Sequence, residues 1–173
     1  MGEVGASAED AWRSNVVMDF AASELFDRTF HEGMDLVEET AAYLDGAGRH
    51  DSKRLTRKAA LAYASESMRL TTRLMQLASW LLVQRAVREG QMPATEACND
   101  RYRLADDLFK APRPSEIEQL PPALVDLLER ASRLYERVLH LDRRMYVEPA
   151  ANQGGHPVLS QMDRLQAVFG RSA

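Results

Sequence analysis

The side chains that could do chemistry are four histidines, one cysteine and two runs of mixed acids and bases. His31, His50, His140 and His156 are scattered, and no two stand at the spacing of metal ligands. A carboxylate-bridged metal site in a helical bundle uses Glu-x-x-His pairs, which put both ligands on one helix face. Glu136 and His140 are one residue too far apart for that motif and occur once. Cys98 has no histidine within a helical turn to activate its thiol. A single cysteine makes neither an intrachain disulfide nor a cysteine-rich metal centre, and it fits a reducing compartment. No glycine-rich phosphate loop follows a strand, because no strand pattern is found. These residues predict no catalytic centre, metal or cofactor, and point instead to a chain that works by binding other proteins.

The two charge runs are candidates for that binding. Between Tyr63 and Gln76, the residues Glu66, Arg69 and Arg73 recur at spacings of three and four, on one side of a helix. They can bridge one another, or reach Glu38 and Glu39 across a hairpin, as a solvated ladder or a register device. The sharper reading is a docking patch, since the arginine fork pairs bidentately with carboxylates. In the second run, Glu38, Glu39 and Asp45 close one helix, and Lys53, Arg54, Arg57 and Lys58 open the next. Both sets oppose the helix dipole, at about 0.3–1 kcal/mol per charge. Attraction between the neighbouring helices can offset that cost. Alternatively, Arg49, Lys53, Arg54 and Arg57 form a basic tip for an acidic partner.

Helices must position these groups. Phe26, Phe30, Met34, Val37, Ala41 and Leu44 mark one face of a helix running from Asn15 or Asp19 to Asp45. Gly46, Ala47 and Gly48 end it through a left-handed cap. A second helix, N-capped by Ser52, extends to Glu89 with Leu55, Ala59, Ala62, Tyr63, Leu70, Leu74, Leu77 and Leu81 as its stripe. Its length of ~55–60 Å exceeds the ~40 Å of the first, and a linker of about six residues makes the two antiparallel. The second helix should overhang the first, so that Leu77, Trp80, Leu81, Leu82, Val83 and Val87 need a cover. The candidates are Val16, Val17 and Phe20, the 94–109 segment, or a second subunit. Gly33, inside the first helix, permits close packing.

A weaker helix is expected over 94–109, and a third strong helix from Pro121-Pro122 to Val147 on Leu124, Leu127, Leu128, Leu134, Val138, Leu141 and Met145. The fold class is all-α: a three-helix bundle with a long central helix, over residues 15–147. Residues 1–14 read as flexible, and 148–173 as a flexible linker with an amphipathic tail. In that tail Val158, Met162, Leu165 and Phe169 share a face; Leu159, Met162, Leu165 and Phe169 are its candidate docking side chains. With 173 residues and a net charge of −4, the chain is one domain, and the charge argues against a nucleic-acid binder. The apolar run from Leu77 to Val87 is too short for membrane insertion, and no secretion signal opens the chain, which reads as cytoplasmic.

The stretch from Glu32 to Gly46, with Gly48-Arg49 after it, resembles the first-helix signature of the RcdA family. Tyr63 to Val87, with Glu66-Ser-Met-Arg-Leu-Thr-Thr-Arg-Leu-Met and Ala78-Ser-Trp-Leu-Leu, resembles that family's second helix. The resemblance covers most of residues 20–147, and Glu32, Glu38, Glu39, Arg69 and Arg73 lie in the matching motifs. It implies a three-helix-bundle adaptor that helps the ClpXP protease degrade cell-cycle regulators. It further implies the partners CpdR and PopA, the cargo CtrA, a cell-pole association, and self-association as a homodimer. The rival expectation is a structural or polar-localisation protein with no part in delivery.

Overall fold

The computed structural model describes residues 3–105 and 117–146. Among the described residues six α-helices follow one another: α1 (Glu3–Ala21), α2 (Glu24–Asp45), α3 (Ala47–Ser52), α4 (Arg57–Arg88), α5 (Ala94–Ala97) and α6 (Pro122–Tyr146). Two 3-10 turns lie at Asp100–Tyr102 and Ile117–Gln119, and no strand occurs among the described residues. The chain is an all-α bundle in which α1, α2 and α6 pack around the long α4. Helix α2 runs antiparallel to α4, with Asp27 beside Arg88 and Gly33 against Leu81. Helix α6 runs parallel to α4, with Ser132 beside Arg73 and Asp142 beside Trp80. Parallel neighbours need a crossover, which is why a long connection separates them.

The first predicted helix is two helices. Ser23 leaves the helical region at φ −83°, ψ 153°, and its hydroxyl accepts from the Phe26 amide at 3.2 Å. That cap starts α2 and turns α1 back across the bundle. Residues 3–14, expected to be flexible, belong to α1. Between α2 and α4 the expected open linker is occupied by α3. Thr56, not Ser52, caps α4, accepting from the Ala59 amide at 3.2 Å. Gly46 ends α2 at φ −111°, outside the left-handed region; among the described residues the glycine at positive φ is Gly90, at +70°. In the described part of the 94–109 segment, α-helix covers Ala94–Ala97 and a 3-10 turn Asp100–Tyr102, while residues 106–109, with Leu108 and Phe109, lie outside the described residues.

The overhang lies at the opposite end from the one expected. Because α2 begins only at Glu24, the Arg88–Asp27 pair sets the C-terminal end of α4 level with it. From the Gly33–Leu81 contact, α4 runs 24 residues to its N-terminus and α2 only 12 to its C-terminus. The first turns of α4 thus extend roughly 18 Å beyond α2, at 1.5 Å per residue. The apolar end at Leu77, Trp80 and Leu81 is covered within the chain by Val17, Phe20, Phe26, Ala97, Leu104 and Tyr146. Phe20 lies 5.7 Å from the Trp80 ring and 5.8 Å from Phe26. Leu82, from the same expected set, stays 51% exposed.

The stripes follow the predicted periods with local shifts. On α6, Leu124, Leu127, Leu128, Leu134, Val138 and Met145 are buried, and Leu141 is half-buried. On α2 the buried line is Phe26, Thr29, Gly33, Leu36 and Thr40, while Ala41 faces solvent. Thr29 tolerates burial because its hydroxyl donates to the Leu25 carbonyl at 2.8 Å. At Gly33 a Cβ would stand 2.6 Å from Leu81 Cδ1, so the missing side chain sets the α2–α4 approach.

Candidate protein-binding surfaces

The polar ladder on α4 is an internal seam. Glu66 and Arg73 are 5% and 6% exposed, too little to meet a partner. Glu66 pairs with Arg69 at 3.2 Å, as the spacing predicts. Arg73 crosses to α6 and donates to Ser132 Oγ at 2.6 Å, and burial lowers its pKa. Tyr135 donates to Gln76 Oε1 at 3.0 Å in the same seam. These contacts fix the register of α4 against α6.

Asp27 of α2 meets Arg88 of α4, but Glu39 and Glu32 turn to α6 instead. Glu39 takes a bidentate contact from Arg130 on α6, at 2.8 and 2.6 Å, which lowers its pKa. Glu32 pairs with Arg137, also on α6. Glu38 is exposed. A second buried group, missed in the sequence, joins α4 to α6: the Trp80 indole donates to Asp142 Oδ1 at 2.9 Å, and Arg103 donates to Oδ2 at 3.3 Å. Asp142 is 1% exposed and its pKa is raised, chiefly by burial. Nothing in α6 signals this, because its partner lies 62 residues away.

At the tip, Gly48 packs under Tyr63, whose hydroxyl would be 2.5 Å from an added Cβ. Tyr43 donates to Asp51 at 3.2 Å and holds α3 down. Arg49 pairs with Asp45 at 3.2 Å. Lys53, Arg54 and Arg57 are exposed and make no ion pair with a described residue. The cross-helix attraction that could offset their dipole cost is absent from this geometry, so the tip presents free positive charge. The tail residues Leu159, Met162, Leu165 and Phe169 lie outside the described residues.

Sequence reasoning also missed a solvent face of α4. Leu61, Met68, Met75 and Leu82 are 74%, 73%, 65% and 51% exposed, seven residues apart each time. The heptad interval was the available signal, hidden by the stronger buried stripe.

Among the described residues no cluster of three His, Cys, Asp or Glu side chains could hold a metal, and no helix is long and apolar enough to cross a membrane. Cys98 is half-buried, and burial pushes its thiol pKa up, away from a reactive thiolate.

A family model described as a protein of unknown function, DUF1465, matches residues 17–169. The crystal structure of RcdA from Caulobacter crescentus CB15 shares 68% sequence identity with this chain, covers 76% of it and 98% of its own chain, and superposes with a TM-score of 0.63. This chain belongs to the RcdA family. No curated protein matches it. The RcdA-family bundle described above offers three surfaces: the basic tip, the apolar α4 face, and the charged α2–α6 side where Glu32, Arg130, Arg137 and His140 line a groove of about 580 Å³.

Proposed function

We propose that this protein is a proteolytic adaptor, which binds cell-cycle regulatory proteins and helps deliver them to the ClpXP protease. The observation that carries this reading is the 68% identity to RcdA over 98% of that chain. The partners that follow are CpdR and, for the cargo CtrA, PopA. The protein works in the cytoplasm, at the cell pole, and self-associates as a homodimer. The free cations Lys53, Arg54 and Arg57, with Arg49 beside them, suit an acidic partner surface, and Leu159, Met162, Leu165 and Phe169 form a tethered docking segment. Tethering a second contact by a short linker raises its local concentration to about millimolar.

Binding of purified components tests this. Full-length protein on a resin should retain both CtrA and the CpdR–ClpX assembly. Removing residues 153–173 should weaken at least one of these by tenfold or more while the melting curve stays in place. Retention of neither by the full-length chain contradicts the adaptor reading. Unchanged retention of both after truncation contradicts the role given to the tail.

A further inference from the structure

The tip and the chain as a whole carry opposite charge. Lys53, Arg54 and Arg57 are exposed and make no ion pair with a described residue, while the chain has a net charge of −4. Of the acids nearest in sequence, Asp45 is paired with Arg49 at 3.2 Å, and Asp51 is half-buried and accepts from the Tyr43 hydroxyl at 3.2 Å. Arg49, Lys53, Arg54 and Arg57 outnumber these two acids, so the tip is positive. Its backbone is held in place. Thr56 caps α4, and Gly48 beneath Tyr63 and the Tyr43–Asp51 bond anchor α3. The first turns of α4 stand roughly 18 Å beyond α2, which sets this charge at one extremity of the bundle.

What the tip lacks is an apolar centre. From Arg49 to Lys58 every side chain is polar except Leu55, which is half-buried against the core. The first exposed apolar side chain, Leu61, lies a turn further along α4. A contact that holds a partner has an apolar, water-excluding middle, with polar groups as its rim. Solvated rim charges act differently: they set the association rate and its salt dependence, and leave dissociation nearly unchanged. A positive end on a negative body also orients the chain in the field of an acidic partner, which is drawn to the tip and repelled by the rest.

We infer that Lys53, Arg54 and Arg57 steer an acidic protein partner onto the bundle without forming the contact that holds it. Steering of this kind rests on the adaptor reading above and gives the tip a kinetic role within it. Duplex DNA and anionic membranes fit less well, because the net negative charge opposes both over any larger footprint.

Rates of binding and release of the full chain with CtrA and with the CpdR–ClpX assembly are read by biolayer interferometry. Ionic strengths of about 0.01 M and about 0.15 M change the screening length from about 30 Å to about 8 Å. At the lower value the variant Lys53→Gln, Arg54→Gln, Arg57→Gln should bind at least one partner about tenfold more slowly. Its dissociation should change less than about twofold. At the higher value the gap in association should shrink to about threefold or less. The control Arg28→Gln, Arg85→Gln, Arg133→Gln removes the same charge from arginines already paired with Glu24, Glu89 and Glu129. It should slow association less than about threefold at the lower value. The tip variant should melt no lower than the parent, since it takes cations from the positive pole of α4. Unchanged association with both partners, or dissociation about tenfold faster, overturns the inference. So does equal slowing by the control, or tip-dependent binding of a DNA duplex or phosphatidylglycerol vesicles at the higher ionic strength. A parent chain that binds neither partner overturns the adaptor reading as well.

Discussion

The Trp80–Asp142 contact is the buried polar pin of the α4–α6 seam, and replacing Asp142 should measure it. Asp142→Leu leaves the Trp80 indole N–H buried without its acceptor, which costs about 1–3 kcal/mol. Arg103 adds little: it is partly exposed, stays over the Tyr146 ring at 5.3 Å, and can turn its guanidinium to water. The leucine also removes the desolvation penalty of the carboxylate. The expected net loss is about 1–2 kcal/mol, or a melting point lower by roughly 2–8 °C. Asp142→Asn keeps an oxygen for the indole and should lose under about 1 kcal/mol at pH 7. The pH dependence is separate and has a definite sign. Because burial raises the Asp142 pKa above 3.8, its protonated form is favoured in the fold. Its contribution is full below pH 3.8 and is lost as pH rises through the raised value. Asparagine has no such titration, so Asp142→Asn should look worse relative to the parent near pH 3.5 than at pH 7. Urea unfolding followed by circular dichroism reads all of this, with Trp80→Phe closing a double-mutant cycle. A coupling between Trp80→Phe and Asp142→Leu below about 0.3 kcal/mol, or asparagine as damaging as leucine at pH 7, refutes the pin.

Other substitutions test the remaining joints. Gly48→Ala should cost about 1–3 kcal/mol in thermal unfolding, since its Cβ would stand 2.8 Å from the Tyr43 carbonyl oxygen as well as against the Tyr63 hydroxyl. Ser23→Ala and Thr56→Ala should each cost about 1 kcal/mol by loss of an N-cap, whereas Ser52→Ala, at the cap position first expected from the sequence, should cost less than half of that.

The sequence carried the bundle because Leu124 to Met145 and Leu70 to Leu81 repeat at helical spacing and face one core. It hid the break at Ser23 because apolar residues continue through Ala21 and Ala22, and only a cap decides between one helix and two. Ser52 and Thr56 are both good caps by chemistry. The choice falls to Thr56 once Tyr43, Asp51, Gly48 and Tyr63 pack α3 against the hairpin, and those contacts are tertiary. The candidate surfaces divide on the same ground. Lys53, Arg54 and Arg57 were found as local charge and stayed exposed. Glu66 and Arg73 shared that local signature but were buried by α6, a helix about 60 residues further along the chain. Leu61, Met68 and Met75 were passed over because an apolar residue in a helix is first assigned to the core, and Leu82 was grouped with the overhang rather than with them.

The adaptor claim is tested most directly by the rate at which purified ClpXP, with CpdR and PopA present, degrades CtrA as this protein is added. A several-fold, saturable acceleration is expected, weakening when Lys53, Arg54 and Arg57 are reversed to glutamate with the melting point unchanged. A rate of CtrA loss that stays flat at every concentration of the intact protein would contradict it.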